Sequence, residues 1–140
     1  MADITTIKKK IKQYCEKETQ TRIQLAFLFG SVASGRQQPN SDVDLAFLCS
    51  RTSIPNGLEQ LNMANKLSGL LNCDTDVVIL NTAGTIINMQ VLRKGIKLFE
   101  RNRKVYSRFF IKTVNEYHDL KLVRSNIEAN ILNASIYDLW

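Results

Sequence analysis

The sequence predicts an α/β fold in which helices pack on a small mixed β-sheet, and three observations lead to this prediction. Two compact apolar runs, Ile23–Phe29 and Val43–Cys49, have the composition and length of buried strands. Other segments repeat their apolar residues every three or four positions, which is typical of amphipathic helices. The two kinds of segment are interspersed along the chain, as expected when helices cover a sheet.

The helices are predicted from this periodicity and from the residues that end them. Their predicted bounds are Ile4 to about Thr19, Leu58–Leu71, Thr85–Lys94 and a mostly helical segment from about Lys104 to the C-terminus. Between the first two strands we expect a turn, in which Ser31–Ser34 is a candidate start of a short helix before Gly35. Gly95 ends the helix before it, because glycine readily adopts the backbone conformation found after a helix. We expect the inward face of the helix Leu58–Leu71 to consist of its leucines, which are Leu58, Leu61, Leu67, Leu70 and Leu71.

Two further strands complete the predicted sheet. Asp76–Leu80 is a short apolar run behind an acidic residue, and Lys97–Glu100 is a fourth, short strand. A loop is predicted at Arg36–Ser41, where proline and asparagine favour turns. No repeat, linker or low-complexity segment interrupts the 140 residues, so we expect a single domain over 1–140.

Composition excludes several classes of protein. The sequence has no long uncharged apolar run and no signal peptide, so we expect no membrane association. Its three cysteines are odd in number and lack the spacing of metal sites, which indicates reduced thiols in a cytoplasmic protein. The single histidine, His118, cannot supply a multi-histidine metal site.

The formal net charge of +6 is concentrated in one part of the chain. Residues 93–112 contain eight basic residues and one acidic residue, Glu100. This stretch is either a solvated helix face or a surface for phosphates or an acidic protein partner, and the sequence leaves both readings open.

Two carboxylates stand at the start of the second strand. Side chains alternate in a strand, so Asp42 and Asp44 point the same way, about 6.6–7 Å apart along the backbone, while Val43 and Leu45 face the core. Leaving a buried charge unpaired costs about 3–5 kcal/mol, so a basic side chain or a metal ion is expected nearby. Paired carboxylates suit Mg²⁺, which prefers oxygen ligands.

A Gly-Ser pair, Gly30-Ser31, follows the first strand, and ten residues separate it from Asp42. Glycine lets backbone N–H groups approach a phosphate, and the serine adds a hydroxyl. Either feature alone also fits ordinary helix capping or turn chemistry. The combination of Gly-Ser, ten residues and Asp-x-Asp between two apolar strands is much more specific.

This combination, GSVASGRQQPNSDVDLAFL, resembles the DNA polymerase β-like nucleotidyltransferase superfamily and, within it, the minimal nucleotidyltransferases called MNT. The resemblance implies that fold, and a nucleotide site in which Asp42, Asp44 and a third carboxylate hold two Mg²⁺ ions. Gly30, Ser31 and Ser41 would bind the nucleotide. Arg36 would either hold the triphosphate or solvate its loop.

The third carboxylate is chosen between Asp74 and Asp76, which alternation alone places on one face. In the family this aspartate directly precedes an apolar strand run that ends in Leu-Asn. Asp76 matches that pattern, because it is followed by the run Val77–Asn81. We therefore predict Asp76 as the third catalytic and metal-binding residue.

The resemblance also implies a function. Minimal members are similar to the antitoxin halves of HEPN–MNT pairs, which transfer AMP from ATP to a tyrosine hydroxyl of the HEPN ribonuclease toxin and can build a short oligo-AMP. We accordingly expect a hetero-oligomer with such a toxin and no direct binding of nucleic acid. The alternatives are an antitoxin that acts by binding alone, and a nucleotidyltransferase acting on RNA or a small molecule.

Overall fold

The computed structural model describes residues 3–17, 22–33 and 42–138, which form four strands and six helices. In chain order the elements are α1 (Ile4–Glu16), β1 (Ile23–Phe29), α2 (Gly30–Ala33), β2 (Val43–Cys49), α3 (Gly57–Leu71), β3 (Thr75–Ile79), α4 (Leu80–Ala83), α5 (Thr85–Lys94), β4 (Ile96–Glu100) and α6 (Arg103–Asp138). The predicted order is confirmed, with α4 as an addition. The end of the predicted first helix, near Thr19, lies outside the described residues.

The sheet is mixed, with strand order β3-β2-β1-β4. The pairs β1–β2 and β1–β4 are antiparallel, whereas β2 and β3 are parallel and are joined through α3. A parallel pair needs a crossover connection, which a helix normally supplies. The predicted class, a small mixed sheet with packed helices, is therefore confirmed.

Helices cover both faces of the sheet. The helices α1 and α3 contribute Ile7, Ile11 and Leu67 to the larger core cluster, on the face where Val43 and Leu45 also point. On the other face, Phe27 packs with Phe109 of α6 in a second cluster. Strands covered on both sides read as continuous apolar runs, which explains the composition of β1 and β2.

The inward face of α3 differs from the prediction. Its buried residues are Met63, Leu67 and Leu71, which recur every four positions along one side. Leu58 and Leu61 are exposed, as is Leu70, so three of the five predicted leucines face outwards. At 3.6 residues per turn, Leu58 lies half a turn away from Leu67, so the two cannot share one face.

Side chains close the end of the sheet where β1 begins and β2 ends. Asn81 forms two hydrogen bonds of 2.8 Å with the backbone of Cys49, accepting from its N–H and donating to its carbonyl oxygen. Arg101 donates to the carbonyl oxygens of Ile23, at 3.0 Å, and Cys15, at 2.7 Å. These contacts provide hydrogen-bond partners for backbone groups of β1, β2 and the last turn of α1. We call this region the far end.

Candidate active site

Three neighbouring strands bring Gly30, Asp44 and Asp76 together at the opposite end of the sheet, which we call the site end. In the antiparallel pair of β1 and β2, Phe29 lies opposite Asp44, and Gly30 follows Phe29 directly. In the parallel pair of β2 and β3, Asp44 lies opposite Asp76. Asp42 immediately precedes β2, two residues from Asp44. Residues far apart in sequence thus form one row across the sheet.

Gly30 is required at its position for two separate reasons. Its φ angle of +79° lies in the region that L-residues with side chains rarely adopt. A Cβ atom built on Gly30 would also collide with the Asp44 carboxylate. The backbone at the start of α2 therefore lies directly against that carboxylate, and its N–H groups are close to any phosphate that a metal ion on Asp44 would hold.

Burial raises the pKa of Asp44 above its ordinary value, and the neighbouring charges of Asp76 and then Asp42 raise it further. Among the residues that the structure describes, no lysine or arginine forms an ion pair with these three carboxylates. Within the described residues, the site end therefore holds an excess of negative charge, which favours binding of a cation.

The carboxylates fit a metal that completes its coordination with other ligands. As placed, they do not enclose one ion, and no group of three acidic, histidine or cysteine side chains in the described ranges does so. Mg²⁺ is commonly bound through one or two carboxylates together with water and substrate phosphates, rather than by a cage made only of protein. The three carboxylates supply hard oxygen ligands, and no basic side chain of the described residues pairs with them, so they match that mode of binding.

The structure distinguishes between Asp74 and Asp76, the two candidates for the third carboxylate. Asp76 lies within β3, beside Asp44, and its charge acts on the Asp44 carboxyl. Asp74 precedes β3, and its backbone carbonyl oxygen accepts a hydrogen bond of 2.9 Å from the N–H of Val43. The row of carboxylates thus includes Asp76 and not Asp74.

The remaining predicted nucleotide contacts are only partly described. Ser31 is the second residue of α2, but its side chain is outside the described part of the structure. Arg36 and Ser41 also lie outside the described residues. Their predicted contacts with the triphosphate remain predictions.

A cavity of about 960 Å³ at the far end contains none of the predicted site residues. It lies between the last residues of β2, the helices α4 and α5, and α6, and its charged side chains are Arg51, Arg108, Lys112 and Glu116. Sequence patterns gave no signal for this cavity, because its walls come from four separate segments. Its single carboxylate gives it no metal site, so the chemistry points to the site end.

The basic stretch of residues 93–112 is divided among α5, β4 and α6, so it is not one helix face. Several of its cations have aromatic partners: Arg93 lies 5.8 Å from the ring centre of Tyr117, and Lys97 lies 4.4 Å from that of Tyr106. The Arg101 side chain donates hydrogen bonds to backbone carbonyl oxygens at the far end. A role of the other cations in binding phosphates or an acidic partner stays a prediction.

Within the three described ranges, no helix combines the length and the apolar character needed to span a lipid bilayer.

Comparison with known proteins agrees with the geometry. Residues 9–104 match the family described as polymerase beta, nucleotidyltransferase. Protein adenylyltransferase MntA of Shewanella oneidensis is 32% identical over 111 residues, which cover 79% of this chain and 78% of that protein.

Two solved structures resemble the fold closely. A toxin–antitoxin crystal structure with AMP-PNP superposes with a TM-score of 0.76 at 30% identity, covering 89% of this chain and 98% of the other. The MNT antitoxin in complex with the tri-AMPylated Shewanella oneidensis HEPN toxin gives a TM-score of 0.71 at 26% identity, covering 91% and 98%. With the sequence match, the fold and the row of carboxylates, these likenesses show that the chain belongs to the polymerase beta nucleotidyltransferase family.

Proposed function

We propose that this chain is an antitoxin that transfers AMP from ATP to a tyrosine hydroxyl of a cognate HEPN ribonuclease toxin in the cytoplasm, and thereby neutralises the toxin. The row formed by Gly30, Asp44 and Asp76, with Asp42 beside it, carries this proposal. The acceptor is inferred from the adenylyltransferase name of the relative and from the tri-AMPylated toxin in the solved complex.

The transfer replaces a phosphoanhydride bond of ATP by a phosphodiester bond to tyrosine. The tyrosine oxygen forms a bond to the α-phosphorus of ATP, the bond from that phosphorus to the pyrophosphate oxygen breaks, and the hydroxyl proton passes to a base. Bound Mg²⁺ would supply charge neutralisation for the phosphates and a lowered pKa for the attacking hydroxyl. Such chemistry depends mainly on positioning and electrostatic stabilisation, so one small domain over 1–140 suffices.

Each residue of the site end has a role in this scheme. Asp42 and Asp44 would hold Mg²⁺ together with the triphosphate, and Asp76 would ligate a second Mg²⁺ nearer the acceptor. An oxygen of the Asp76 carboxylate would accept the tyrosine proton. Gly30 lets the start of α2 approach the phosphates, and we assign further contacts with them to Ser31, Arg36 and Ser41.

The carboxylates, which pair with no lysine or arginine among the described residues, favour catalysis over an antitoxin that acts by binding alone. A cluster of like charges destabilises the fold when no cation is present, so a chain that only covered its toxin would be more stable without it.

On the toxin, each transferred AMP adds negative charge, which would repel RNA from the ribonuclease site.

The direct test is transfer of label from ATP, in the presence of Mg²⁺, to the protein encoded by the neighbouring gene, which we expect to be the cognate HEPN toxin. We expect the label on a toxin tyrosine, located by mass spectrometry, and loss of transfer in the Asp42→Ala/Asp44→Ala variant. That variant should stay folded, and its thermal stability without Mg²⁺ should be unchanged or higher. Transfer by the double variant, or label found on RNA alone, would contradict the proposal.

A further inference from the structure

The C-terminal helix α6 has two halves with very different surroundings. In its first half, Phe109 and Thr113 are buried against the body of the protein. From His118 to Ile131 every side chain is exposed. We call residues 118–131 the arm; at 1.5 Å per residue it is about 21 Å long.

A single apolar stripe runs along both halves. On the body, Phe109 and Thr113 lie on the side of α6 that packs on the protein. Steps of three and four residues continue that side into the arm, which places Leu120, Val123, Ile127 and Ile131 on it. These four side chains are 40–60% exposed. The stripe that buries α6 against the protein therefore continues beyond it without a cover among the described residues.

An isolated helix of this length is marginal in water, and contiguous exposed apolar side chains usually mark an interaction surface. The charges of the arm narrow the choice of partner. Two acidic residues, Asp119 and Glu128, balance two basic ones, Lys121 and Arg124. Arg124 and Glu128 also pair with each other at 3.3 Å. A neutral arm with an apolar stripe suits a protein surface rather than a nucleic acid.

The comparisons with known proteins indicate which protein partner the arm would bind. The match to the nucleotidyltransferase family ends at residue 104, where α6 begins. The antitoxin chains from toxin complexes cover 89–91% of this chain, which requires that they match part of α6 as well. The segment beyond the shared catalytic region is thus present in relatives that were solved with a toxin.

We propose that the stripe of the arm, formed by Leu120, Val123, Ile127 and Ile131, is the surface on which the HEPN toxin docks. This inference rests on the proposed function, because it assigns the partner of that reaction to one element. Pairing of the arm with a second copy is less favoured because the stripe is short. It spans 12 residues, whereas a coiled coil sustains its apolar repeat over about three to four heptads. The arm would supply affinity for the toxin, while the site end supplies chemistry.

The test replaces two stripe residues by glutamate and compares them with two residues on the opposite side of the same helix. Val123→Glu/Ile127→Glu should weaken association with the cognate HEPN toxin by roughly 100-fold, because buried apolar anchors dominate such interfaces. Ser125→Glu/Ala129→Glu adds the same charge on the opposite side and should stay within about threefold. Association is measured in the absence of ATP by isothermal titration calorimetry or surface plasmon resonance.

Separate readings keep the failure of this inference distinct from the failure of the proposed function. Mg²⁺-dependent ATP binding and the thermal midpoint should be unchanged in both variants, because the substituted residues are exposed. Equal weakening by both pairs, or unchanged association in the stripe variant, would overturn the docking surface even if wild-type protein transfers AMP. A stripe variant that only changed the oligomeric state of the free chain would show that a second copy covers the stripe.

Discussion

The two ends of the sheet treat their polar groups in opposite ways. At the far end, Asn81 and Arg101 each make two hydrogen bonds to backbone groups, so side chains complete the sheet. At the site end, Asp44 lies beside Asp76 and against Gly30, and no ion pair within the described residues relieves the charge. The comparison teaches that the far end uses its polar side chains for stability, whereas the site end holds carboxylates that no described side chain pairs, an arrangement suited to a ligand.

The comparison is tested most strongly by a substitution at the site end that keeps shape and removes charge. Asp76→Asn should reduce AMP transfer by about 100-fold or more, because it removes the group proposed to accept the proton and to ligate Mg²⁺. Binding of ATP should persist through Asp42 and Asp44. Single-turnover transfer and calorimetric ATP binding are the measurements.

Asp74→Asn is the matched control for this prediction. It removes the same charge two residues before Asp76 in the chain, and it should leave transfer within a few-fold of the wild type. A larger effect of Asp74→Asn would mean that the neighbour of Asp44 in the sheet is not the third catalytic carboxylate.

A substitution at the far end should give the opposite result, which is lost stability with retained chemistry. Arg101→Ala removes two charged hydrogen bonds to Ile23 and Cys15 and a contact of 4.9 Å with the Phe99 ring. We expect the free energy of unfolding to fall by about 2–3 kcal/mol, measured by chemical denaturation.

Arg103→Ala removes the same charge at the exposed start of α6 and should change the free energy of unfolding by less than about 0.5 kcal/mol. Transfer per folded molecule should match the wild type in both variants. If Arg101→Ala instead abolished transfer in a protein of unchanged stability, the division between the two ends would be wrong.

The smallest expected effect is on the pH dependence of stability. The pKa of Asp44 is raised in the folded state, so the folded chain binds more protons than the unfolded chain between the two pKa values. The free energy of unfolding therefore falls as pH rises through that range. In Asp44→Asn without Mg²⁺, this fall should be smaller and the stability at neutral pH higher.

Denaturation curves at a series of pH values above about 4, with a chelator present, measure this effect. Asp119→Asn removes one charge from the exposed arm and serves as the control. A steeper fall with pH in Asp44→Asn than in the control would show that the Asp44 carboxylate is stabilised by a partner rather than strained.

Alternation and spacing predicted the local part of the site. Val43 and Leu45 are buried as expected, so Asp42 and Asp44 are excluded from that core, and Gly30 lies beside them. The choice between Asp74 and Asp76 needed the family pattern, because both fit alternation. Only the register of β2 with β3 places Asp76 next to Asp44.

The errors have the same origin. The predicted inward face of α3 is wrong because leucines occur on several sides of that helix, and packing against the sheet selects Met63, Leu67 and Leu71. Arg101 belongs to the basic stretch by its position in the sequence, but its hydrogen-bond partner Cys15 is 86 residues away. Sequence windows contain no information about contacts across such distances.

The sequence by itself determined the strands, most of the helices, the two carboxylates of β2 and the glycine before them, because these depend on periodicity and on neighbours within a few residues. The tertiary structure decided which third carboxylate joins them, which cations stabilise the fold, and where the apolar stripe of α6 leaves the protein. These outcomes depend on strand register and on which surfaces meet, and such contacts form only when segments distant in sequence pack together.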